Sequence, residues 1–253
     1  MGPGGDTVPD SGFEVVGHAE QRALLRTLNA RALLFTGPER VGRRRTARWY
    51  AALLNCRQPE RAPCGACSSC RLAAQGLHPD YREVSPAATT REGRSSRKPE
   101  LRIAQLVPRE GDAPDDALSR WLEAQPRFAV RVGLIDQAET LTTGAANAFL
   151  KMLEEPPGHA RIVLVAPSPG AVLPTIASRC AVLRFGTVTP ETFKPGALEH
   201  PNARLGRYGE LRGAEAEPDA FAERLALVDG YLRALEQGLE SALEAADGLE
   251  QRW

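Results

Sequence analysis

The sequence predicts an α/β protein in which helices cover both faces of a parallel β-sheet. Segments with helical character alternate with short apolar runs, and the runs stand at 32–36, 81–84, 130–135, 162–165 and 181–185. A glycine-rich turn follows the first run directly, which is typical of a phosphate-binding strand–loop–helix unit. Of the 253 residues, 42% are hydrophobic and 25% are charged, a balance typical of globular domains.

Charge and apolar content limit the classes of partner. Lys+Arg and Asp+Glu both number 32, so no overall basic field indicates binding to nucleic acid or to an anionic membrane. No apolar run approaches the roughly 20 residues that a bilayer-spanning helix needs, and the first residues lack the features of a signal peptide. We therefore expect a cytoplasmic protein with no membrane partner and with reduced thiols.

The helices predicted between the apolar runs complete the α/β order. They are expected at 17–28, 47–54, 115–125, 144–155 and 172–178. Pro156 and Pro157 end the fourth of these helices. Residues 1–12 are rich in Gly and Pro and predict a disordered start, and residues 85–100 predict a flexible loop.

The stretch from Phe35 to Thr46 has the outline of a phosphate-binding loop. Working loops have the form G-x-x-x-x-G-K-[ST], in which the lysine reaches the β/γ phosphates and the hydroxyl holds magnesium. Gly37 and Gly42 are in place, but Arg43 stands at the lysine position and Arg44 at the hydroxyl position. Thr46 comes two residues late, about 200° around the helix. We therefore expect neither ATP nor magnesium at this loop.

A second nucleotide-site motif is also defective. The run 130–135 ends in Asp136, as in a Walker B strand whose acid holds magnesium, but Gln137 stands where an ATPase has its general base. A neutral amide cannot accept a proton, so hydrolysis would fail even with ATP bound. Asp136 could hold a metal or form an ion pair with Arg43 and Arg44, and both interpretations stay open. Two defects in one site favour an inactive ATPase.

The segment 55–80 interrupts the α/β order with a cluster of four cysteines. Cys56, Cys64, Cys67 and Cys70 contain two overlapping C-x-x-C turns and could close the tetrahedral shell of a structural zinc ion. Scattered buried thiols and a redox pair are the alternatives. His78 could substitute for one ligand, although His78-Pro79-Asp80 more simply predicts a turn into the next strand.

These features resemble the delta-prime subunits of bacterial DNA polymerase III clamp loaders, a family of AAA+ proteins with a P-loop-type fold. The resemblance covers about residues 13–186. The segments that carry it are Val16–His18, Gly37–Arg44, the four-cysteine insertion, Leu134–Glu139, Ala145–Pro157 and Leu173–Cys180.

The resemblance implies a role for Arg179, in the motif Ser178-Arg179-Cys180. In this family the arginine acts as a trans finger on the ATP bound by a neighbouring subunit. A permanently charged planar guanidinium suits that task, because it can neutralise charge on a transferring γ-phosphate. Outside the motif, a loop arginine paired with a local carboxylate would be the simpler interpretation. Ser168 lies near the family's sensor position.

The chain departs from the family after Gly186. Family members have a small helical lid and then a full helical collar domain, whereas only about 65 residues follow Gly186 here. We expect a reduced lid at 187–213 and a remnant or start of the collar at 214–253, whose apolar stripe 221–243 suggests a partner interface. Either the collar is abbreviated or the chain is incomplete.

One helix end is unusual in its charge. Glu154 and Glu155 stand at the C-terminus of the predicted helix 144–155, where the helix dipole disfavours negative charge. Screening by solvent would explain this, and so would a cationic partner from this chain or from a neighbour.

The sequence therefore predicts a non-hydrolysing clamp-loader subunit. Its expected partners are the gamma/tau and delta subunits, the sliding clamp, and primed DNA through the assembled complex. The expected cofactor is structural zinc, with no ATP or magnesium in its own site. The alternatives are an ATP-hydrolysing gamma/tau-type subunit and a zinc-dependent nucleic-acid binding module.

Overall fold

The computed structural model describes Val15, 17–89, 95–108, 117–188 and Arg233. At 87–89 and 95–99 it describes the backbone only. Within these residues the α-helices are α1 (Ala19–Thr27), α2 (Arg43–Leu54), α3 (Ser68–Ala74), α4 (Ile103–Leu106), α5 (Leu118–Glu123), α6 (Thr143–Glu154) and α7 (Pro174–Ala177). The strands are β1 (Ala32–Thr36), β2 (Tyr81–Val84), β3 (Ala87–Thr89), β4 (Ser95–Glu100), β5 (Arg131–Ile135), β6 (Ala160–Ala166) and β7 (Ala181–Arg184).

Five strands form one parallel sheet in the order β2-β5-β6-β1-β7. Strand β1 lies between β6 and β7, with Ala32 opposite Ile162 and Leu33 opposite Ala181. Because all pairs are parallel, every strand ends at the same edge of the sheet. The parallel arrangement and the strand positions predicted from the apolar runs are confirmed.

Helices cover both faces of the sheet, as β1 illustrates. Leu33 and Phe35 belong to a buried cluster with α1 and α2, whereas Leu34 belongs to a second cluster with α5, α6 and α7. Successive residues of a strand point to opposite faces, so a continuous apolar run is needed when both faces are covered. No helix in the described parts of the chain is both long enough and apolar enough to cross a bilayer.

One predicted element is wrong. The segment 85–100 was expected to be a flexible loop, but it contains a two-stranded antiparallel sheet of β3 and β4, in which Ala87 pairs with Glu100 and Thr89 with Ser95. The Ser, Pro and Gly residues of this segment are typical of loops and gave no strand signal. The pairing is formed by backbone groups, and its register is irregular.

Some predictions fall outside the described residues. These are the disordered start at 1–12, the reduced lid at 187–213 beyond Val188, and the helical segment 214–253 apart from Arg233, which is in a helix.

Two buried polar side chains join α2 and the cysteine insertion to the start of β5. The amide of Asn55 donates to the carbonyls of Ala51 and Val130 and accepts from the backbone N–H of Ala129 and Val130, at 2.9–3.0 Å. Asp80 is fully buried, and its carboxylate accepts backbone N–H groups of the segment that leads into β5. Those donors are Arg127 at 2.8 Å and Phe128 at 2.6 Å.

We predict that Asp80→Ala lowers the free energy of unfolding by about 2–5 kcal/mol, because it removes a buried carboxylate that accepts two partly buried N–H groups. Denaturant unfolding measures this change. Glu123→Ala, which removes an exposed carboxylate, is the matched control and should stay within about 0.5 kcal/mol of the wild type. Equal effects of the two substitutions would contradict the role given to Asp80.

Candidate functional site

The sheet places the degenerate nucleotide motifs together at its C-terminal edge. The loop after β1 contains Gly37 and Gly42, Asp136 and Gln137 follow β5, and Ser168 follows β6. Ligands of open parallel sheets bind in this position, outside the carboxyl ends of the strands. The structure therefore brings the two predicted motifs to one place.

Backbone contacts fix the shape of the loop. The N–H of Gly37 donates to the carbonyl of Pro167 at 3.0 Å, and a Cβ added to Gly37, which has φ 142°, would lie 2.0 Å from the carbonyl oxygen of Phe185. Only glycine fits there. His18 forms a 2.7 Å hydrogen bond through Nε2 with the carbonyl of Val41. Burial lowers the pKa of His18, which keeps the ring neutral near pH 7.

Arg43 turns its side chain into the loop. Its guanidinium donates through Nη1 to the carbonyl of Ala166, the last residue of β6, and only 8% of the residue is exposed. Burial lowers the pKa of Arg43, while the charges of Glu139, Asp136 and Glu39 oppose that effect. The guanidinium of Arg43 is thus bonded within the chain, and its positive charge lies close to three carboxylates.

Arg44 lies between the carboxylate of Asp136, after β5, and a carboxylate of β2. Its Nε pairs with Glu83 of β2, and its Nη1 lies 3.7 Å from Oδ2 of Asp136. Arg48 adds a 2.9 Å hydrogen bond to the other oxygen of Glu83. An arginine charge therefore stands beside the carboxylate to which a working site would bind magnesium.

Two further polar residues of the motifs are Thr46 and Gln137. Thr46 is fully buried, and its hydroxyl donates to the carbonyl of Gly42, the N-cap of its own helix, at 3.0 Å. The side chain of Gln137 is exposed, and its backbone has the left-handed conformation, with φ 53°. Gln137 directly precedes a short 3-10 helix.

Sequence reasoning missed two carboxylates of this site. Glu83 lies on β2, and its only signal was a polar residue in a predicted strand. Glu139 lies beyond Asp136, and its Oε2 is buried without a hydrogen-bond partner in the described residues. Burial raises the pKa of Glu139, and the charge of Arg43 works against that shift.

The four cysteines meet in one cluster. Their sulfur atoms all lie within 4.8 Å of one another, and the sulfurs of Cys64 and Cys70 are 4.0 Å apart. A tetrahedron with metal–sulfur bonds of about 2.3 Å has edges of about 3.8 Å, so the cluster fits a four-thiolate metal site. The backbone N–H groups of Cys64, Cys67 and Cys70 each point at a cysteine sulfur at 3.4–3.5 Å.

His78 is not part of this cluster. Its Nδ1 accepts the N–H of Asp80 at 3.1 Å and its Nε2 bonds the hydroxyl of Ser69 at 3.0 Å, so both ring nitrogens are used. The turn interpretation of His78-Pro79-Asp80 agrees with this arrangement.

Arg179 lies at the opposite edge of the sheet. It precedes β7, whose first residue Ala181 is opposite Leu33 near the start of β1, whereas the degenerate loop begins after Thr36. A five-residue strand spans about 16 Å, so the length of the sheet separates Arg179 from the loop of its own chain. Its guanidinium contacts Glu154 at the end of α6.

Comparison with known proteins agrees with this architecture. The model of the family described as "DNA polymerase III, delta subunit" matches residues 20–189. A DNA polymerase III subunit delta' from Pseudomonas aeruginosa is 36% identical over 156 residues, which are 61% of this chain and 43% of that protein. The subunit delta' of Bacillus subtilis is 30% identical over 214 residues, 81% of this chain and 60% of that protein.

The chain belongs to the delta-prime family of DNA polymerase III clamp-loader subunits. The expected AAA+ α/β fold with a four-cysteine module agrees with this membership.

Other matches place the chain in a wider group. A gamma/tau subunit from Mycobacterium bovis is 35% identical over 219 residues, 84% of this chain and 34% of that protein. A solved gamma subunit-related protein from Thermotoga maritima has a TM-score of 0.47 and 20% identity, covering 92% of this chain and 71% of that chain, a likeness too low to add to the argument. The matches with the two delta' subunits and the gamma/tau subunit span between 34% and 60% of those proteins.

Proposed function

We propose that this chain is a clamp-loader subunit that does not hydrolyse ATP itself. It completes a ring with gamma/tau and delta subunits, offers Arg179 to the ATP of one neighbour, and helps to load the sliding clamp on primed DNA. A subunit of a replication complex works in the bacterial cytoplasm, so that location belongs to the proposal. The observation that carries it is the filling of the degenerate loop by charges of the chain itself.

The charges of the loop support the absence of nucleotide. ATP brings several negative charges and magnesium brings two positive ones, and a working site is built to need both. Here Arg44 lies beside Asp136 where magnesium would be held, and Arg43 bonds a backbone carbonyl instead of a phosphate. Glu139 and Glu39, whose charges act on Arg43, would repel the phosphates.

The position of Arg179 supports action in trans. The arginine and the degenerate loop lie at opposite edges of one sheet, so the arginine cannot reach a phosphate held by its own loop. One third of its side chain is exposed (33%), which leaves it accessible to a neighbouring subunit. If Arg179 contacts the phosphates of an ATP, that ATP is therefore bound by another subunit.

The gamma/tau-type ATPase is the first alternative, and the similarity to gamma/tau subunits is its support. It requires a lysine and a hydroxyl where Arg43 and Arg44 stand, and a general base where Gln137 stands. The zinc-dependent nucleic-acid module is the second alternative. The cysteine segment lacks the interleaved basic and aromatic residues expected of such a module, and it packs on α2 as part of the domain core.

We predict that calorimetric titration of the isolated chain with Mg-ATP detects neither binding nor turnover, because Arg43 and Arg44 replace the phosphate and magnesium ligands. The double variant Arg43→Lys/Arg44→Thr should gain binding and still lack turnover, since Gln137 is unchanged. Tight binding with turnover by the wild-type chain would establish the gamma/tau alternative.

We predict that Arg179→Ala keeps the fold and lowers the DNA-stimulated ATPase of the reconstituted clamp loader by the share that one ATP site contributes. The one neighbouring site that loses its trans arginine stops, while the other sites continue. Arg184→Ala, which removes an exposed arginine at the end of β7, is the control and should retain wild-type activity. Equal activity of Arg179→Ala and the wild type would remove the finger from the proposal.

For the cysteine cluster we propose a structural zinc ion held by Cys56, Cys64, Cys67 and Cys70. Zinc is the metal for which a four-thiolate shell is typical, and a closed shell has no position for a reactive water. When bound, the ion would cross-link the insertion and would have no catalytic role. A redox pair is less well supported, because all four sulfurs come together and not two of them.

We predict one zinc ion per chain by native mass spectrometry and its loss in Cys64→Ser, because three thiolates bind the ion much less tightly. Cys180→Ser should retain the zinc, since Cys180 lies outside the cluster. The zinc-free variant should also melt at a lower temperature, as metal binding is coupled to folding of such modules. Full zinc content in Cys64→Ser would contradict the four-cysteine assignment.

A further inference from the structure

We infer that Glu154 is a displaceable partner of Arg179: it occupies the finger arginine in the free subunit and gives way to the phosphate of the neighbour's ATP. This inference rests on the proposed trans role of Arg179. It adds a second residue to that role, one that controls when the positive charge becomes available.

The contacts of Arg179 show how completely the side chain is engaged. Its Nε donates to Oε1 of Glu154 at 2.7 Å, and its Nη2 lies 2.5 Å from the same oxygen. Its Nη1 donates to the carbonyl of Thr175 at 2.8 Å and to the hydroxyl of Ser178 at 3.3 Å. All three guanidinium nitrogens therefore have acceptors, and the edge formed by Nε and Nη2 faces a carboxylate.

A phosphate would bind the same edge of the guanidinium, the one formed by Nε and Nη2. Arginine recognises phosphate and carboxylate with the same fork of parallel N–H groups, so the two anions compete for it. While Glu154 is in place, it neutralises the guanidinium and would repel a γ-phosphate brought close to it. The carboxylate must therefore leave before Arg179 can neutralise charge on the phosphate.

The pair is built to be exchanged. The side chains of Arg179 and Glu154 are 33% and 47% exposed, so water screens their attraction and each charge is solvated readily after separation. In contrast, the hydrogen bonds of Nη1 to Thr175 and Ser178 come from the turn that carries Arg179 itself. These bonds can hold the guanidinium in position while the partner on its other edge changes.

The pair also accounts for the acid at the end of α6. Glu154 is the last residue of that helix, where the dipole disfavours a negative charge, and the guanidinium of Arg179 supplies the cation that offsets it. Glu155 stands next to it and is also exposed, and the described residues give its carboxylate no ion-pair or hydrogen-bond partner. The two neighbouring acids therefore differ in this one contact.

The test compares Glu154→Gln with Glu155→Gln, which remove the same charge from adjacent positions. Each variant is assembled with wild-type partner subunits into the complete clamp loader. The half-saturating concentration of a slowly hydrolysed ATP analogue is measured together with the DNA-stimulated ATPase. Thermal melting of each isolated chain confirms that the fold is retained.

Removal of the competing carboxylate should lower the half-saturating concentration by about 1.5- to 5-fold in Glu154→Gln, the range expected for an exposed ion pair. Glu155→Gln should match the wild type. In an Arg179→Ala background, Glu154→Gln should have no further effect, because the group that it releases is absent. A merely structural role of Glu154 would not produce this dependence on Arg179.

Two results separate the inference from the proposed function. A raised half-saturating concentration in Glu154→Gln, or an effect equal to that of Glu155→Gln, would overturn the displaceable-partner role while the finger stands. Wild-type ATPase in Arg179→Ala would instead overturn the finger itself, and the inference with it.

Discussion

The parallel alignment of the five strands is the constraint on which the rest of this structure depends. Because every strand runs in one direction, residues that follow strands collect at one edge and residues that precede strands collect at the other. The degenerate loop, Asp136 and Gln137 belong to the first group, and Glu154 and Arg179 belong to the second. One edge of the sheet therefore carries the charges of the two nucleotide motifs, paired within the chain, and the other edge carries the exposed pair of Glu154 and Arg179.

Charge compensation within the chain stabilises the first edge. In a nucleotide site the magnesium ion neutralises a carboxylate such as Asp136, and a carboxylate without any counter-charge is unfavourable in a partly buried place. Arg44 supplies that charge, and Glu83 and Arg48 extend the pairing along β2 and α2. The second edge has a similar ion pair in a more exposed place, between Arg179 and Glu154.

Periodicity predicted the sheet well because a strand buried on both faces needs a continuous apolar run, and such runs were visible at β1, β5 and β6. The hairpin of β3 and β4 was not predictable in this way, because backbone pairing holds it and its residues are typical of loops. Asn55 and Asp80 were missed for a related reason. Nothing in the local sequence shows that their side chains meet the backbone of a segment about 50 to 75 residues away.

The sequence by itself determined the α/β class, the two defective nucleotide motifs, the four-cysteine set and the resemblance to clamp-loader subunits. These features are carried by residue types at short spacing, which local chemistry and steric rules constrain directly. Only the tertiary structure decided which charges meet: Arg44 with Asp136 and Glu83, and Arg179 with Glu154. Ion pairs join residues far apart in the chain, and the order of the strands, which no local pattern encodes, determines which of them become neighbours.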